Sequence, residues 1–528
     1  MRLAVMALLL RVCASLPDVV FIVADDLGFN DVGFHGSHQV QTPHLNALAR
    51  DALDLLHYHT LPVCSPSRAT MLSGFHAIHH GIYTPFEQGS STHLALEYKL
   101  LPQFLKQAGF KTHAIGKWHL GQNSLEALPT HRGFDSYSGY WCGTEDHYTH
   151  TTKEAYDFAR GDATDLKANA TYADLLFTAR TVEIVKDASR ARDPAAPQEE
   201  EAPFFVWLAF QNVHWPLQAP EGYVAPYRGA PTAGDEPRAL VCGMVSFLDA
   251  AVGNVTGALK ESGLYDGSII IFVSDNGGPT NMDEGSASNN FPMRGGKNTL
   301  WEGGTRVVGL VKAPGLAAGK SLLKFHATDW LYTLHHAATG RVLPQLPGWQ
   351  LGDGMDLWPA LLGDFSAERT ELLLETHDVS GVLHGDGLIF GDWKILRLGE
   401  THPSVEAGWQ APPGEDANST NYVLGCDVSR QPSDANVTEQ CVDAFCLFNI
   451  TADPCEYDDL ASKLAKVLQQ LESRLEAYRA TAVAAVAPSG CDPIRVAGPG
   501  GAVLWRPCDQ PDPGTIAVDA MPGGAALF

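Results

Sequence analysis

Three stretches of this chain are apolar almost without interruption, and each stops abruptly at polar residues. They are Asp18 to Ala24 (DVVFIVA), Pro203 to Phe210 (PFFVWLAF) and Ser268 to Ser274 (SIIIFVS). A strand with one wet face alternates apolar and polar side chains, whereas a strand covered on both faces reads as a continuous β-rich run. These three therefore predict parallel strands buried between layers of helices. The helical patterns at Thr42 to Leu53 and Thr171 to Val185 fit such layers. The residues just past each run are as informative as the runs themselves: Asp25-Asp26 after the first, His214 shortly after the second, Asp275-Asn276 after the third. Open α/β sheets place their functional groups just beyond the carboxyl ends of such strands. Up to about residue 365 the expectation is an α/β sandwich around a central mixed sheet.

Beyond residue 366 the pattern changes. Short strands are expected around Leu372 to Glu375, Gly387 to Phe390 and Trp393 to Arg397. An amphipathic helix is expected from Leu460 to Ala482, with Leu464, Leu468, Leu471, Leu475 and Tyr478 on one face. Residues 366–528 thus read as a smaller C-terminal α+β domain with a short antiparallel sheet, a packed helix and a disulfide-rich segment, ending in a Gly/Pro-rich tail expected to be irregular from Gly498. Residues 187–202 and 411–440 read as irregular surface segments. The 528 residues suffice for two or three domains, and no internal repeat is visible.

The formal charge of -25 excludes nucleic acid and anionic membrane surfaces as partners, since both select clustered Lys and Arg. Residues 1–15, with Arg2 ahead of the apolar stretch Leu3 to Leu10, read as a secretory signal; the competing reading is a buried first strand. No other window approaches the roughly 20 uninterrupted apolar residues of a membrane span. Apart from Cys13 and Cys64, eight cysteines remain: Cys142, Cys242, Cys426, Cys441, Cys446, Cys455, Cys491 and Cys508. An even number suits disulfides in an oxidising compartment, and the spacing lacks the paired C-x-x-C of a zinc cluster. Five N-x-[ST] sequons, at Asn169, Asn254, Asn418, Asn436 and Asn449, point the same way. The expected location is the secretory pathway, lysosomal or extracellular.

Chemistry enters at Cys64-Ser65-Pro66-Ser67-Arg68-Ala69-Thr70-Met71-Leu72-Ser73-Gly74 and at Gly116-Lys117-Trp118-His119-Leu120-Gly121. Both resemble signatures of the type I sulfatases, the first with every fixed position of C-x-P-S-R-x-x-x-L-[TS]-G filled. The alternative for Cys64 alone is a disulfide partner or a small buried hydrophobe. Further segments, among them Arg132-Gly133-Phe134-Asp135, Gly391-Asp392-Trp393-Lys394 and Leu447-Phe448-Asn449-Ile450, resemble the arylsulfatase B group of N-acetylgalactosamine-4-sulfatases and their arylsulfatase I and J relatives. The resemblance implies an alkaline-phosphatase-like fold for the large domain. It also implies that Cys64 is oxidised to formylglycine by a formylglycine-generating enzyme, and that Asp25, Asp26, Asp275, Asn276 and the modified residue 64 hold one Ca2+. Lys117, Lys297 and His214 would contact sulfate oxygens, His119 the formylglycine hydroxyl, and Arg68 the formylglycine oxygens or neighbouring acids.

The residues themselves fit that chemistry. Carboxylate and amide oxygens suit calcium better than zinc. An i, i+2 spacing on a strand would point Lys117 and His119 to one side. A geminal diol offers one hydroxyl to attack sulfur and a second to expel sulfate afterwards. The expected substrate is a sulfated sugar such as N-acetylgalactosamine 4-sulfate, its subsites in loops around Trp141 to His150 and Met282 to Pro292. The rivals are a phosphatase or phosphodiesterase of the same superfamily, which would want Thr or Ser as nucleophile and more metal ligands, a catalytically silent sulfatase-like binding protein, and a secreted disulfide-rich binding module.

Overall fold

The computed structural model describes residues 16–509, apart from 194–200, 281–284, 346–349, 377–384, 400–407, 419–421, 433–439, 443, 489–491 and 499–500. The segment 1–15, Asn436 and Cys491 lie outside the described residues. The predicted apolar runs form strands: β1 (Val19–Ala24), β7 (Phe204–Ala209) and β8 (Ile269–Ser274). The other strands of the same sheet are β2 (Leu53–His59), β3 (Lys111–Lys117), β4 (Ser136–Tyr140), β5 (Ala159–Arg160), β6 (Ala163–Thr164), β9 (Gly309–Lys312) and β10 (Gly319–His326). Their order is β10-β2-β9-β8-β1-β7-β3-β4-β5-β6. The middle five, from β8 to β4, are mutually parallel, and antiparallel pairings at β9 and at β5 and β6 make the sheet mixed.

Alternation along the buried runs divides the core into two layers. Val20, Ile22, Val206, Leu208, Ile270 and Phe272 face one layer, which includes helices α1 (Pro43–Asp51), α4 (Ala173–Ala191) and α5 (Glu236–Glu261). Val19, Phe21, Val23, Phe205, Trp207 and Ile271 face the other, which includes α2 (Cys64–Ser73), α3 (Leu101–Gln107) and α6 (Trp330–Thr339). Each strand is thus apolar on both sides because both sides are covered. Helix α5 is long and apolar enough to cross a membrane, but 72% of its most apolar window is buried, as in the core helix of a sandwich.

The second sheet, β11 (Glu371–Glu375), β12 (Gly385–Phe390), β13 (Trp393–Leu398) and β14 (Cys446–Asn449), is antiparallel throughout. One face packs on Leu300 and Trp301 of the large body, and the other on Leu471 and Leu475 of α7 (Ala465–Arg479). A buried ion cluster seals the first junction: Lys394 of β13 lies 2.9 Å from Glu302 and 2.8 Å from Glu456.

Three expectations are corrected. Leu53 begins a strand instead of closing the first helix. The tail is not irregular throughout, because Ile494–Ala497 and Val503–Arg506 pair with one another and through Leu504 with Tyr156, forming a small sheet that buries Trp505. The cysteines do not all pair. Cys426–Cys455 and Cys441–Cys446 are disulfides and Cys508 is disulfide-bonded, but Cys142 and Cys242 are buried free thiols, their sulfurs against Gln122 and Gln39. Packing alone accounts for these two, as for most buried thiols.

Candidate active site

The carboxyl ends of the central strands are in register, with Ala24 opposite Ser274 and Ala209 opposite Gly116. The residues that follow each strand therefore meet at one edge of the sheet. Their loops are tied together by main chain: the Asp25 amide donates to the Asn212 carbonyl at 3.0 Å, and the Asp275 amide to that of Ala24 at 3.2 Å. Close approach between loops also demands glycine. A Cβ at Gly277 would stand 1.8 Å from the Gly303 carbonyl oxygen, which locks the Asp275-Asn276 loop onto the segment carrying Lys297.

Three carboxylates and three cations interlock here, all buried. Arg68 donates to Asp275 Oδ2 through Nε at 2.9 Å and Nη2 at 2.7 Å, and lies 3.5 Å from Asp25. Lys117 Nζ donates to Asp25 Oδ2 at 2.7 Å, and Lys297 Nζ to Asp26 Oδ2 at 2.9 Å. Asn276 Nδ2 donates to Asp26 Oδ1 at 2.6 Å. Of the two partners the sequence left open for Arg68, the neighbouring acids are the ones it contacts. Burial, then the repulsion of Asp25, pushes the Asp275 carboxyl up, against the pull of Arg68 and Lys117.

Two oxygens in this cluster are buried without a hydrogen-bond partner, Asp25 Oδ1 and Asn276 Oδ1. Ligand atoms of Asp25, Asp26 and His214 lie within 4.8 Å of one another. Buried acceptors left unmade are costly, and the two carboxylates with the unpartnered amide oxygen of Asn276 suit a hard cation such as calcium, whereas the imidazole nitrogen of His214 in the same group is a softer donor.

Cys64 opens α2, every residue of which is buried. It lines a cavity of about 580 Å³ together with His119, His214, Lys297, Phe86 and Trp215. Burial pushes the Cys64 thiol up, although Lys117 and Lys297 oppose the shift. The two histidines are held differently. His119 has φ of 55°, in the left-handed region, so it lies past the end of β3 and turns away from the strand path; the expected strand spacing does not position it. Its Nε2 lies 3.0 Å from the Phe86 carbonyl, and its buried Nδ1 has no partner. Burial, reinforced by Lys117, holds it well below the usual imidazole range, hence neutral. Gly143 leaves room for the ring, since a Cβ there would meet His119 Nε2 at 2.6 Å. His214 Nδ1 lies 2.6 Å from the Trp215 carbonyl, and its Nε2 lies 3.3 Å from Lys297 Nζ.

The sequence-predicted residues thus converge on one edge and one cavity. The remaining cavity wall, Pro85 to Gln88, carries no motif, and only the packing of Phe86 against His119 reveals it. Trp215 follows His214 in the segment His214-Trp215-Pro216-Leu217-Gln218, but nothing in the sequence there gives it a role. Gly143, Thr144 and Gly285 fall in the two loops expected to hold subsites.

Comparison with known proteins agrees with this geometry. The sulfatase family profile matches residues 17–340. Arylsulfatase J of Mus musculus is 35% identical over 491 residues, spanning 89% of this chain and 77% of the relative. Arylsulfatase A of Homo sapiens is 31% identical over 393 residues, spanning 69% and 73%. Among solved structures, Ps i-CgsB in complex with k-i-k-neocarrahexaose superposes with a TM-score of 0.70 at 25% identity, covering 89% of this chain and 94% of the other.

Proposed function

This chain belongs to the sulfatase family and is a sulfuric ester hydrolase of arylsulfatase type, and from that premise we propose that it acts through formylglycine at residue 64 and a calcium ion held by Asp25, Asp26, Asp275 and Asn276. The observation that carries the reading is the meeting of Cys64 with His119, His214 and Lys297 in one cavity beside three buried carboxylates.

Residue 64, once oxidised and hydrated, supplies a geminal diol whose first hydroxyl displaces the alcohol from sulfur and whose second releases sulfate. A calcium ion held by Asp25, Asp26, Asp275 and Asn276 would supply positive charge to the bound sulfate. The rest of the chemistry belongs to side chains. His119 is neutral, and with Nε2 donating to the Phe86 carbonyl its Nδ1 keeps a free lone pair that takes the proton of the attacking hydroxyl. His214 donates from Nδ1 to the Trp215 carbonyl, which leaves Nε2 to accept from Lys297; the imidazole thereby orients the ammonium, and Lys297 stabilises charge growing on the leaving oxygen. Arg68 neutralises Asp275 and fixes the helix of residue 64 against the acid cluster.

The substrate we propose is a sulfated sugar. Relatives named N-acetylgalactosamine-6-sulfatase and a structural neighbour complexed with k-i-k-neocarrahexaose support the class without fixing the position of the sulfate. N-acetylgalactosamine 4-sulfate is the specific candidate from the sequence resemblance. The disulfides and sequons support maturation in the secretory pathway, with a formylglycine-generating enzyme as partner and a lysosomal or extracellular destination.

The test is Cys64→Ser, which leaves one hydroxyl able to attack sulfur and none to release sulfate. The variant exposed to a sulfate ester should gain one sulfate at residue 64 by intact mass and fail to turn over. Sustained turnover by that variant would refute the two-hydroxyl mechanism.

A further inference from the structure

Trp215 is a large apolar side chain left half exposed, at 50%, one residue from His214 in the sulfate-binding end of the cavity. An indole is normally buried or engaged, and exposed aromatics beside a site are the usual anchors of recognition. Its backbone is fixed from two sides: the Trp215 carbonyl accepts from Thr144 Oγ1 and from His214 Nδ1, both at 2.6 Å. No side chain covers the indole where the loop borders it: the neighbour there is Gly285, and only an added Cβ would come into van der Waals contact with the ring edge, at 3.6 Å. The result is a half-exposed aromatic wall of the cavity on an anchored backbone, one residue from the groups assigned to the leaving oxygen.

The charge around that wall is equally selective. Among the described lining residues, Lys297 is the sole Lys or Arg, and it belongs to the sulfate end. At the outer wall stands Glu87, its side chain 88% exposed. Lys153 lies beyond the lining, engaged by the Gln88 carbonyl at 3.1 Å and by Glu87 at 3.6 Å. A second anionic group on the ring would meet the Glu87–Lys153 pair, which offers no net positive charge to hold it, while Lys297 serves the sulfate end.

Resting on the sulfate-ester reading above, we propose that Trp215 is a stacking platform for the leaving-group ring, and that the site takes a ring bearing one sulfate and otherwise uncharged. The apolar face of a pyranose lies on the indole, and the ester oxygen then falls beside His214 and Lys297. Trp215 is a specificity-determining residue acting through binding, so its removal should weaken ring recognition more than sulfate recognition.

The experiment compares wild type, Trp215→Ala and Trp215→Phe on the methyl glycoside of a monosulfated N-acetylhexosamine, its disulfated analogue, and inorganic sulfate as inhibitor. Trp215→Ala should raise KM for the monosulfated glycoside by roughly tenfold or more, as loss of one apolar pocket contact does, with the inhibition constant for sulfate within about twofold of wild type. Trp215→Phe should restore most of the affinity. Wild-type kcat/KM should be lower, by about tenfold, for the disulfated analogue. An unchanged KM in Trp215→Ala overturns the platform, and equal or better turnover of the disulfated substrate overturns the neutral-ring requirement. A wild-type protein carrying formylglycine that hydrolyses neither ester overturns both this inference and the function beneath it.

Discussion

His119 and His214 enter the cavity with opposite ring nitrogens committed, Nε2 to the Phe86 carbonyl and Nδ1 to the Trp215 carbonyl. That difference lets one act as a base while the other orients Lys297, and neither tautomer follows from a motif. At this scale the sequence is legible where residue type and spacing are both constrained: Cys64, Arg68, Lys117 and His119 can be read directly from two short signatures. It is silent on partners, because the contact between Arg68 and Asp275 joins residues separated by 207 positions. Trp215 illustrates a second blind spot, since exposure is a property of the fold and not of the residue. The cations yield a direct prediction. Lys117→Ala and Lys297→Ala should each lose about 2–4 kcal/mol of transition-state stabilisation in kcat/KM, the scale of a single oxyanion donor. Each also strands a buried carboxylate, so thermal unfolding should move down in both variants. Near-normal kcat/KM in both would place the anion pocket elsewhere.

Among elements, α4 supports the site from behind through its first turn. Asp174 there accepts the Gln211 amide at 3.0 Å and the Asn212 amide at 3.1 Å, anchoring the loop that leads to His214. Burial lifts its carboxyl from 3.8 to about 7. The folded protein therefore keeps a proton that the unfolded chain releases near pH 4, and the stability tied to this group falls as pH rises from about 4 through 7. Asp174→Asn does not titrate. Its stability relative to wild type should increase across that window and level off above about pH 8, as measured by denaturant unfolding at fixed ionic strength. A difference that is flat with pH would show that Asp174 is already ionised below pH 5.

The same element-level view explains which strands can be read in advance. β1, β7 and β8 are buried on both faces, so their sequences are unbroken apolar runs. β2 mixes Asp54 and His57 with leucines because it lies next to the edge strand β10, and it resembles the end of a helix as closely as a strand. The short pairing of Val503–Arg506 with Ile494–Ala497 depends on a distant partner, Tyr156, that local pattern cannot supply.

At the scale of the whole molecule, a chain with a formal charge of -25 must bind an anion, and the field is overcome locally. Three buried cations offset three buried carboxylates at the strand ends, and a bound calcium would tip the balance positive while bulk charge is screened beyond roughly 8–10 Å. We propose that the division near residue 365 separates this catalytic body from a supporting domain whose Lys394 pairs with Glu302, on the segment that carries Lys297. A ligand that binds only the folded state stabilises it. Chelation should therefore lower Tm in wild type and have little effect on Asp275→Ala, in which the site is already broken; an equal response in both would argue against calcium at these residues.

The proposed mechanism depends above all on the chemical state of residue 64, and peptide mass spectrometry of the purified, active protein reads it directly. The peptide containing residue 64 should have lost its sulfur and carry an aldehyde, in a fraction that scales with specific activity between preparations made with and without a formylglycine-generating enzyme. A fully active protein with an intact thiol at Cys64 would contradict the mechanism.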